Sequence, residues 1–318
     1  MLLQRQAFVI HRFNPFVMKR RTFLQSAGML AGATLIPQQA WLRPLLFPAG
    51  QMTALRGNVS IYTERGGTIA CLLTPEHSVV VDTQFPDQAN NLISLLKEQN
   101  AKPLDLLINT HHHGDHTGGN IAFKGMVTKH IAHANSKTNQ ERVAPEREQM
   151  DNTLLPGTTY TEHHTEKVGD ETVTLHYHGA GHTNGDSLVH FEEANIVHMG
   201  DLMFNRRLPY IDKSSGADIS NWIDILRHAR RQFDKDTLFV FGHAGEGYEV
   251  TGTGDDLKAM AHFLKMALRY GKKAKKRGDS LEDLVAKTTS FPRAPEFKGN
   301  ERGVRRVLSA VYAELEEA

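Results

Sequence analysis

Cysteine is almost missing from this chain of 318 residues. The single thiol, Cys71, excludes an intrachain disulfide and any metal site built on several sulfurs. It stands in the apolar, strand-like run 68–73, which marks it as a buried structural thiol. Acidic residues are missing from the first forty positions, where Arg5, Arg12, Lys19, Arg20 and Arg21 stand. The whole chain has 37 Lys and Arg against 36 Asp and Glu, so the remainder is mildly acidic. That balance leaves no electrostatic footprint for nucleic acid. No repeat of fixed period occurs. What remains is an ordinary globular composition, 40% hydrophobic and 23% charged, sufficient for a sizeable core, and an unusual abundance of histidine, 18 in all.

The segment Lys19-Arg20-Arg21-Thr22-Phe23-Leu24-Gln25, the weakly apolar run 26–36 and the small residue Ala40 have the layout of a secretory signal. The run is too short to span a bilayer, which takes about 20 apolar residues. The paired arginines followed by Thr-Phe-Leu resemble the twin-arginine export signal. That resemblance implies the twin-arginine machinery as a partner and a periplasmic chain with no membrane span in its mature form. Met18 offers a compact start of the usual kind and is expected to be the initiator. Residues 1–40 are thus expected to be the signal and 41–318 one domain, with 251–318 a helical C-terminal extension.

From Met52 the pattern alternates short β-rich runs with turns: 59–63, 68–74 and 78–82. A helix is expected from Pro86 to about Asn100, a buried strand over 104–109, and a charged surface helix from Asn135 to about Asn152. Strands follow at 171–177, 187–191, 195–199 and 237–241, with a helix over 219–233 between the last two. The final third reads as helices over 255–276, 281–288 and 302–317. The basic run 272–277 is a solvated helix end, where cations oppose the negative pole of the dipole.

The strand 104–109 runs into His111-His112-His113-Gly114-Asp115-His116. In extended chain His111 and His113 project the same way and can share one metal. Gly114 permits a change of direction that turns Asp115 and His116 towards a second. Gly118 and Gly119 allow close backbone packing beneath. His112, between the pair, reads as a core or surface imidazole, as do His130, His133, His163, His164, His176, His178, His198 and His262.

This hexapeptide resembles the signature of the metallo-β-lactamase superfamily, and further motifs similar to that family follow in order. They are Gly181-His182-Thr183-Asn184-Gly185-Asp186-Ser187, His198-Met199-Gly200-Asp201 and Phe241-Gly242-His243-Ala244-Gly245, with Val79-Val80-Val81-Asp82-Thr83 before the cluster. The resemblance implies a four-layer αβ/βα sandwich, α/β in class, with helices outside two facing mixed sheets. It implies one metal on His111, His113 and His182, a second on Asp115, His116 and His243, Asp201 bridging both, and Asp82 supporting the ligand loop from behind. Nitrogen and carboxylate donors without sulfur suit zinc, and also iron or manganese. The nucleophile expected of such a site is a hydroxide bridging the ions, with Asp115 orienting it and passing on its proton.

Members that destroy β-lactams with a cysteine ligand place it where this chain has Asp201, and follow it with a lysine; here Leu202-Met203-Phe204-Asn205 follows. The bridging aspartate is instead similar to the glyoxalase II, lactonase and esterase branches. Hydrolysis of a small-molecule ester, thioester, lactone or amide is therefore expected. The alternatives are an iron-dependent persulfide or thiol dioxygenase and a non-catalytic metal-binding accessory protein. Arg206, Arg207 and Tyr210, in the loop after Asp201, are candidates for substrate contact. Trp222 reads as core packing of its helix.

Overall fold

The computed structural model describes residues 50–99, 104–144 and 153–317. The expected signal segment, its Met18 start, and the 145–152 end of the expected charged helix lie outside the described residues. The first half of the chain contributes β1 (Gln51–Ala54), β2 (Val59–Thr63), β3 (Ile69–Leu73), β4 (Ser78–Val81), α1 (Pro86–Glu98), β5 (Leu104–Asn109), α2 (Gly114–Thr117), β6 (Val127–His133), α3 (Ala134–Val143) and β7 (Thr158–Tyr160). The second contributes β8 (His163–Val168), β9 (Glu171–His176), β10 (Leu188–Phe191), β11 (Ile196–His198), β12 (Phe204–Asn205), α4 (Ile219–Gln232), β13 (Leu238–Val240), β14 (His243–Ala244), β15 (Thr251–Gly252), α5 (Gly254–Arg277), α6 (Leu281–Lys287) and α7 (Glu301–Glu317).

Strands β1 to β7 form one sheet in sequence order, antiparallel from β1 to β4 and parallel from β4 to β7. A second sheet has the order β15-β13-β11-β10-β9-β8. The period of two explains the layers. Val79 and Val81 of β4 point into an apolar core shared with Val173, Leu175, Val189 and Phe191 of the second sheet. Val80, between them, points outward onto Leu92 and Leu96 of α1, together with Cys71. On the far side Val197 and Phe239 pack against α4, α5 and α7. The result is the expected four-layer αβ/βα sandwich. Cys71 is fully buried, and burial pushes its thiol up to about 12, as befits a structural cysteine.

The helices have recognisable ends. Asp218 caps α4, and Thr253 with Asp256 forms a capping box at α5, which stops at Gly278 with φ 80° after a basic last turn. Trp222 is completely buried, and its indole N–H donates to the Leu202 carbonyl at 2.9 Å. Two readings need correction. Strand β6 went unread because His130 and His133 interrupt its apolar alternation. Both are buried, with His130 facing Asn109 Oδ1 at 2.8 Å and His133 facing the Thr161 carbonyl at 3.0 Å. Helix α3 is not simply a charged surface helix, since it buries Ser136, Asn139 and Gln140. Its amides Asn135 and Asn139 hold Asn184 in the loop after His182.

Candidate metal centre

Strands β4 and β5 are parallel neighbours, so the residues that follow them meet at one edge of the sheet. Asp82, directly after β4, takes a left-handed φ of 64° and is fully buried. One of its oxygens accepts the Thr110 N–H at 2.8 Å. The other accepts the Thr110 hydroxyl at 2.7 Å and faces His116 Nδ1 at 2.7 Å. Having donated to Asp82, the hydroxyl can accept from His111 Nδ1, 3.0 Å away. A single carboxylate thus orients two imidazoles.

The other ring nitrogens follow the same logic. His182 Nδ1 lies 2.7 Å from the Tyr210 carbonyl, and His113 Nε2 lies 3.0 Å from Asp212 Oδ2. Each of these acceptors fixes a proton on the outward nitrogen and leaves the inward nitrogen with a lone pair. The inward atoms converge: His182 Nε2 is 2.9 Å from His113 Nδ1. Asp201, in a 3-10 turn after β11, reaches between two groups. Its Oδ2 lies 3.8 Å from His111 Nε2 and 3.6 Å from His182 Nε2, while its Oδ1 lies 3.0 Å from His116 Nε2 and 3.4 Å from His243 Nε2. Asp115 Oδ2 completes the second group at 3.1 Å from His243 Nε2. Gly242 makes room for this, because a Cβ there would stand 2.0 Å from Asp201 Oδ1.

His111 Nε2 is buried without a hydrogen-bond partner, and His116 Nε2 and Asp201 Oδ1, 3.0 Å apart, are buried facing each other without good hydrogen-bond geometry. Leaving such groups bare costs on the order of 1–3 kcal/mol each. Cations between them would remove that cost, so the residues fit metal. Ligand atoms of His111, His113, His182 and Asp201 gather within 4.8 Å, as do those of Asp115, His116 and His243. A third gathering, His112, His113 and Asp212, shares His113. We read it as support, because Asp212 meets the outward nitrogen of His113 and His112 Nε2 faces Ser215 Oγ at 3.1 Å.

Burial, aided by the charge of His116, holds His111 well below its ordinary range, and burial holds His182 at about 3. Burial opposes the charge on His116 too, but Asp201, Asp82 and Asp115 outweigh it and raise that group well above its ordinary value. For Asp201 burial is likewise outweighed, by His243 and His116, so the carboxyl lies well below the usual range and stays ionised.

The seven residues expected to face metals therefore come together at one place, with Asp82 behind them. Gly114 gives the expected change of direction by opening the short helix α2. Gly119 does permit close packing, since a Cβ there would stand 2.3 Å from the Thr83 carbonyl. Above the site lies a cleft of about 290 Å³ bordered by Asp115, Asp201, Phe204, Arg207, Tyr210 and Arg306. Arg207 and Tyr210 are at this cleft as expected. Arg206 is not: a left-handed φ of 53° turns it onto Asp256, 2.5 Å away, and Asn205. Asp212, Thr110 and Arg306 were not singled out from the sequence. Only the first two have any signal there, a polar residue beside a ligand motif or at the end of the loop that covers it.

Fold and site together define an αβ/βα protein with a histidine–aspartate centre able to hold metal. The Metallo-beta-lactamase superfamily model matches residues 63–269, and the chain belongs to that superfamily. It is 23% identical over 175 residues to Metallo-beta-lactamase IND-1 of Chryseobacterium indologenes, covering 54% of this chain and 69% of that protein. It is 22% identical over 240 residues to Metallo-beta-lactamase type 2 of Elizabethkingia meningoseptica, covering 72% and 89%. Among solved structures, a metallo-beta-lactamase from Pontibacter korlensis superposes with a TM-score of 0.57 at 18% identity, covering 68% of this chain and 99% of that one. The DIM-1 metallo-beta-lactamase does so with 0.57 at 16%, covering 69% and 99%. These likenesses carry the fold.

Proposed function

We propose that the protein is a dinuclear metallohydrolase of the bridging-aspartate kind, similar to glyoxalase II and lactonases, that cleaves an ester, thioester, lactone or amide. The observation that carries this reading is the split of Asp201, one oxygen towards His111 and His182, the other towards His116 and His243. A carboxylate so placed suits two cations side by side. His111, His113 and His182 would hold one, Asp115, His116 and His243 the other. Zinc suits these donors, and iron or manganese does as well. When bound, such ions supply Lewis acidity and lower the pKa of water towards neutrality.

The chain's own residues divide the remaining work. Asp115 keeps its side chain 31% exposed to the cleft, against 5% for Asp201. Burial opposes its charge, but His116 and His243 hold its carboxyl well below the usual range. An ionised, accessible carboxylate at the cleft floor is suited to orient the attacking water by accepting its hydrogen bond. Phe204 stacks on His243 at 5.2 Å between ring centroids and Tyr210 packs at 5.2 Å from His113, so both aromatics shield the centre from bulk water.

Replacing Asp201 or His116 with alanine is expected to abolish turnover while circular dichroism remains that of the folded protein. The assay is a panel of nitrocefin, lactones, thioesters and phosphodiesters on protein of known metal content. Oxygen uptake with a persulfide by iron-loaded protein, and no hydrolysis, would replace this reading with a sulfur oxygenase. Metal binding with no turnover of any kind would leave an accessory protein. Export to the periplasm by the twin-arginine pathway belongs to the same proposal and rests on residues 19–25. N-terminal sequencing of the exported chain tests it, because a mature protein retaining Arg20 and Arg21 contradicts it.

A further inference from the structure

A second group of imidazoles stands on the outer face of the second sheet. Val173 and Leu175 of β9 point into the core between the sheets, so His176, which ends the strand, points the other way. His178 follows two residues later with its ring on the same side, 5.9 Å from that of His176 and within 10° of parallel. His228 of α4 meets this pair from above, its ring 4.5 Å from that of His178. His190 of β10 lies 6.3 Å from His176 and packs against Phe233 at 4.8 Å, which fills the inner end. None of these rings belongs to the groups of ligand atoms at the metal centre.

Helix α4 is fixed against this strand end, because the Asn221 amide donates to the His178 and Ala180 carbonyls at 3.2 and 2.8 Å. His228 lies two turns further along the helix, on the same face. His176 and His178 are half-buried and His228 is exposed, so the group opens to solvent past His228. His176 Nε2 and His178 Nε2 are each buried without a hydrogen-bond partner. An unpaired buried nitrogen is costly, and two side by side leave two donor atoms ready for a ligand. Burial, with His178 and His190 beside it, lowers His176 to about 4, and burial with His228 lowers His178. Glu192 acts on His176 in the opposite sense and is outweighed. His176 and His178 are therefore neutral near pH 7, the form in which imidazole binds metal.

We propose that His176, His178 and His228 form a peripheral site for one divalent transition ion, zinc, nickel or copper, separate from the metal centre. Donors that are all imidazole select such ions over magnesium or calcium, which take oxygen. Among the described residues, the ligand atoms of these three do not all lie within 4.8 Å of one another as those of the centre do. The exposed His228 ring is the one free to close that distance, and the ion is held more loosely than at the centre. The site does not depend on the hydrolase reading.

The test is equilibrium dialysis of zinc-loaded protein against excess zinc sulfate, with ions per chain counted by elemental analysis before and after return to zinc-free buffer. One ion beyond those the centre retains is expected, and it should leave again in zinc-free buffer. Measured against a competing chromophoric chelator, its affinity should fall about tenfold or more in each of His176→Ala, His178→Ala and His228→Ala, since a direct ligand contributes at least as much as the supporting partners whose loss costs about 10–100-fold. His228 is exposed, so its replacement keeps the test decisive if a change in β9 disturbs folding. His262→Ala, which removes an exposed imidazole from α5, should leave the ion in place, and so should Asp201→Ala, which acts on the centre. No further ion, an affinity unchanged in any of the three variants, or an equal loss in His262→Ala overturns the proposal.

Discussion

Asp212 touches no substrate-facing atom and yet fixes which nitrogen of His113 looks inward. Burial opposes its charge, but hydrogen bonds from His113, Ser214 and Ser215 hold the carboxyl well below its usual range, so it stands ready as an acceptor. Removing such a support typically weakens metal affinity about 10–100-fold. Asp212→Ala is expected to do so in competition with a chromophoric chelator. Asp212→Asn, whose amide oxygen can still accept from Nε2–H, should recover part of the loss. Equal losses in both variants would point to a packing role instead. At this scale the sequence was unevenly legible. The seven metal-facing residues and Asp82 stood in short contiguous motifs at strand ends. Asp212 meets His113 across 99 positions, a relation that only the folded loop creates. Arg206 and Arg207 are indistinguishable neighbours in sequence, and the positive φ of Arg206 sends one to Asp256 and leaves the other at the cleft.

Among elements, strands β2 to β5, β9 to β11 and β13 could be read to within a residue or two from their apolar residues, whereas β1, β7, β15 and the polar β8 went unread. β6 escaped because two of its buried positions, one on each face, are histidines satisfied by Asn109 and Thr161. The pairing of β12 with β14, only two residues each, leaves no periodic trace, though it brings Phe204 beside His243. The approach of Gly242 to Asp201 gives a sharp test at this scale. Gly242→Ala should displace the Asp201 carboxylate, lowering bound metal and turnover together while leaving the secondary structure unchanged; retention of full metal content would contradict the packing described. A second element-scale prediction concerns the turn between β10 and β11. Burial, with Glu193 beside it, raises the Glu171 carboxyl from 4.5 to about 7, and its oxygens accept the N–H groups of Glu193 and Ala194. The folded chain holds this proton more tightly than the unfolded chain. The group's stabilising contribution is therefore full below about pH 4.5 and is lost as pH rises to about 7. Glu193, held at about 2 through its contacts with Glu171 and Thr172, titrates below that window. Glu171→Gln should flatten the decline in melting temperature across it; an unchanged profile contradicts the assignment.

For the molecule as a whole, the C-terminal helices are less of an appendage than their position in the chain implies. Val304, Val307, Leu308 and Val311 of α7 share one continuous core with Trp222, Phe263 and Phe239. Leu208, 5% exposed, packs where a Cβ on Gly299 would stand 2.8 Å from its side chain. Leu208→Ala is expected to lower stability by about 2–5 kcal/mol in chemical denaturation, the usual cost of opening a cavity at a buried leucine. Leu208 also belongs to the loop over the cleft, whose backbone pairs with the segment before α7 through Lys298. That coupling between tail and site was not legible in the sequence, since a helical pattern states its apolar face but not what the face covers. The account as a whole depends on two cations sharing Asp201. Elemental analysis of purified wild-type protein beside Asp201→Ala measures this directly. Two divalent ions per chain, falling below one in the variant, is the predicted result; a single ion or none in the wild type, or undiminished metal in the variant, would contradict it.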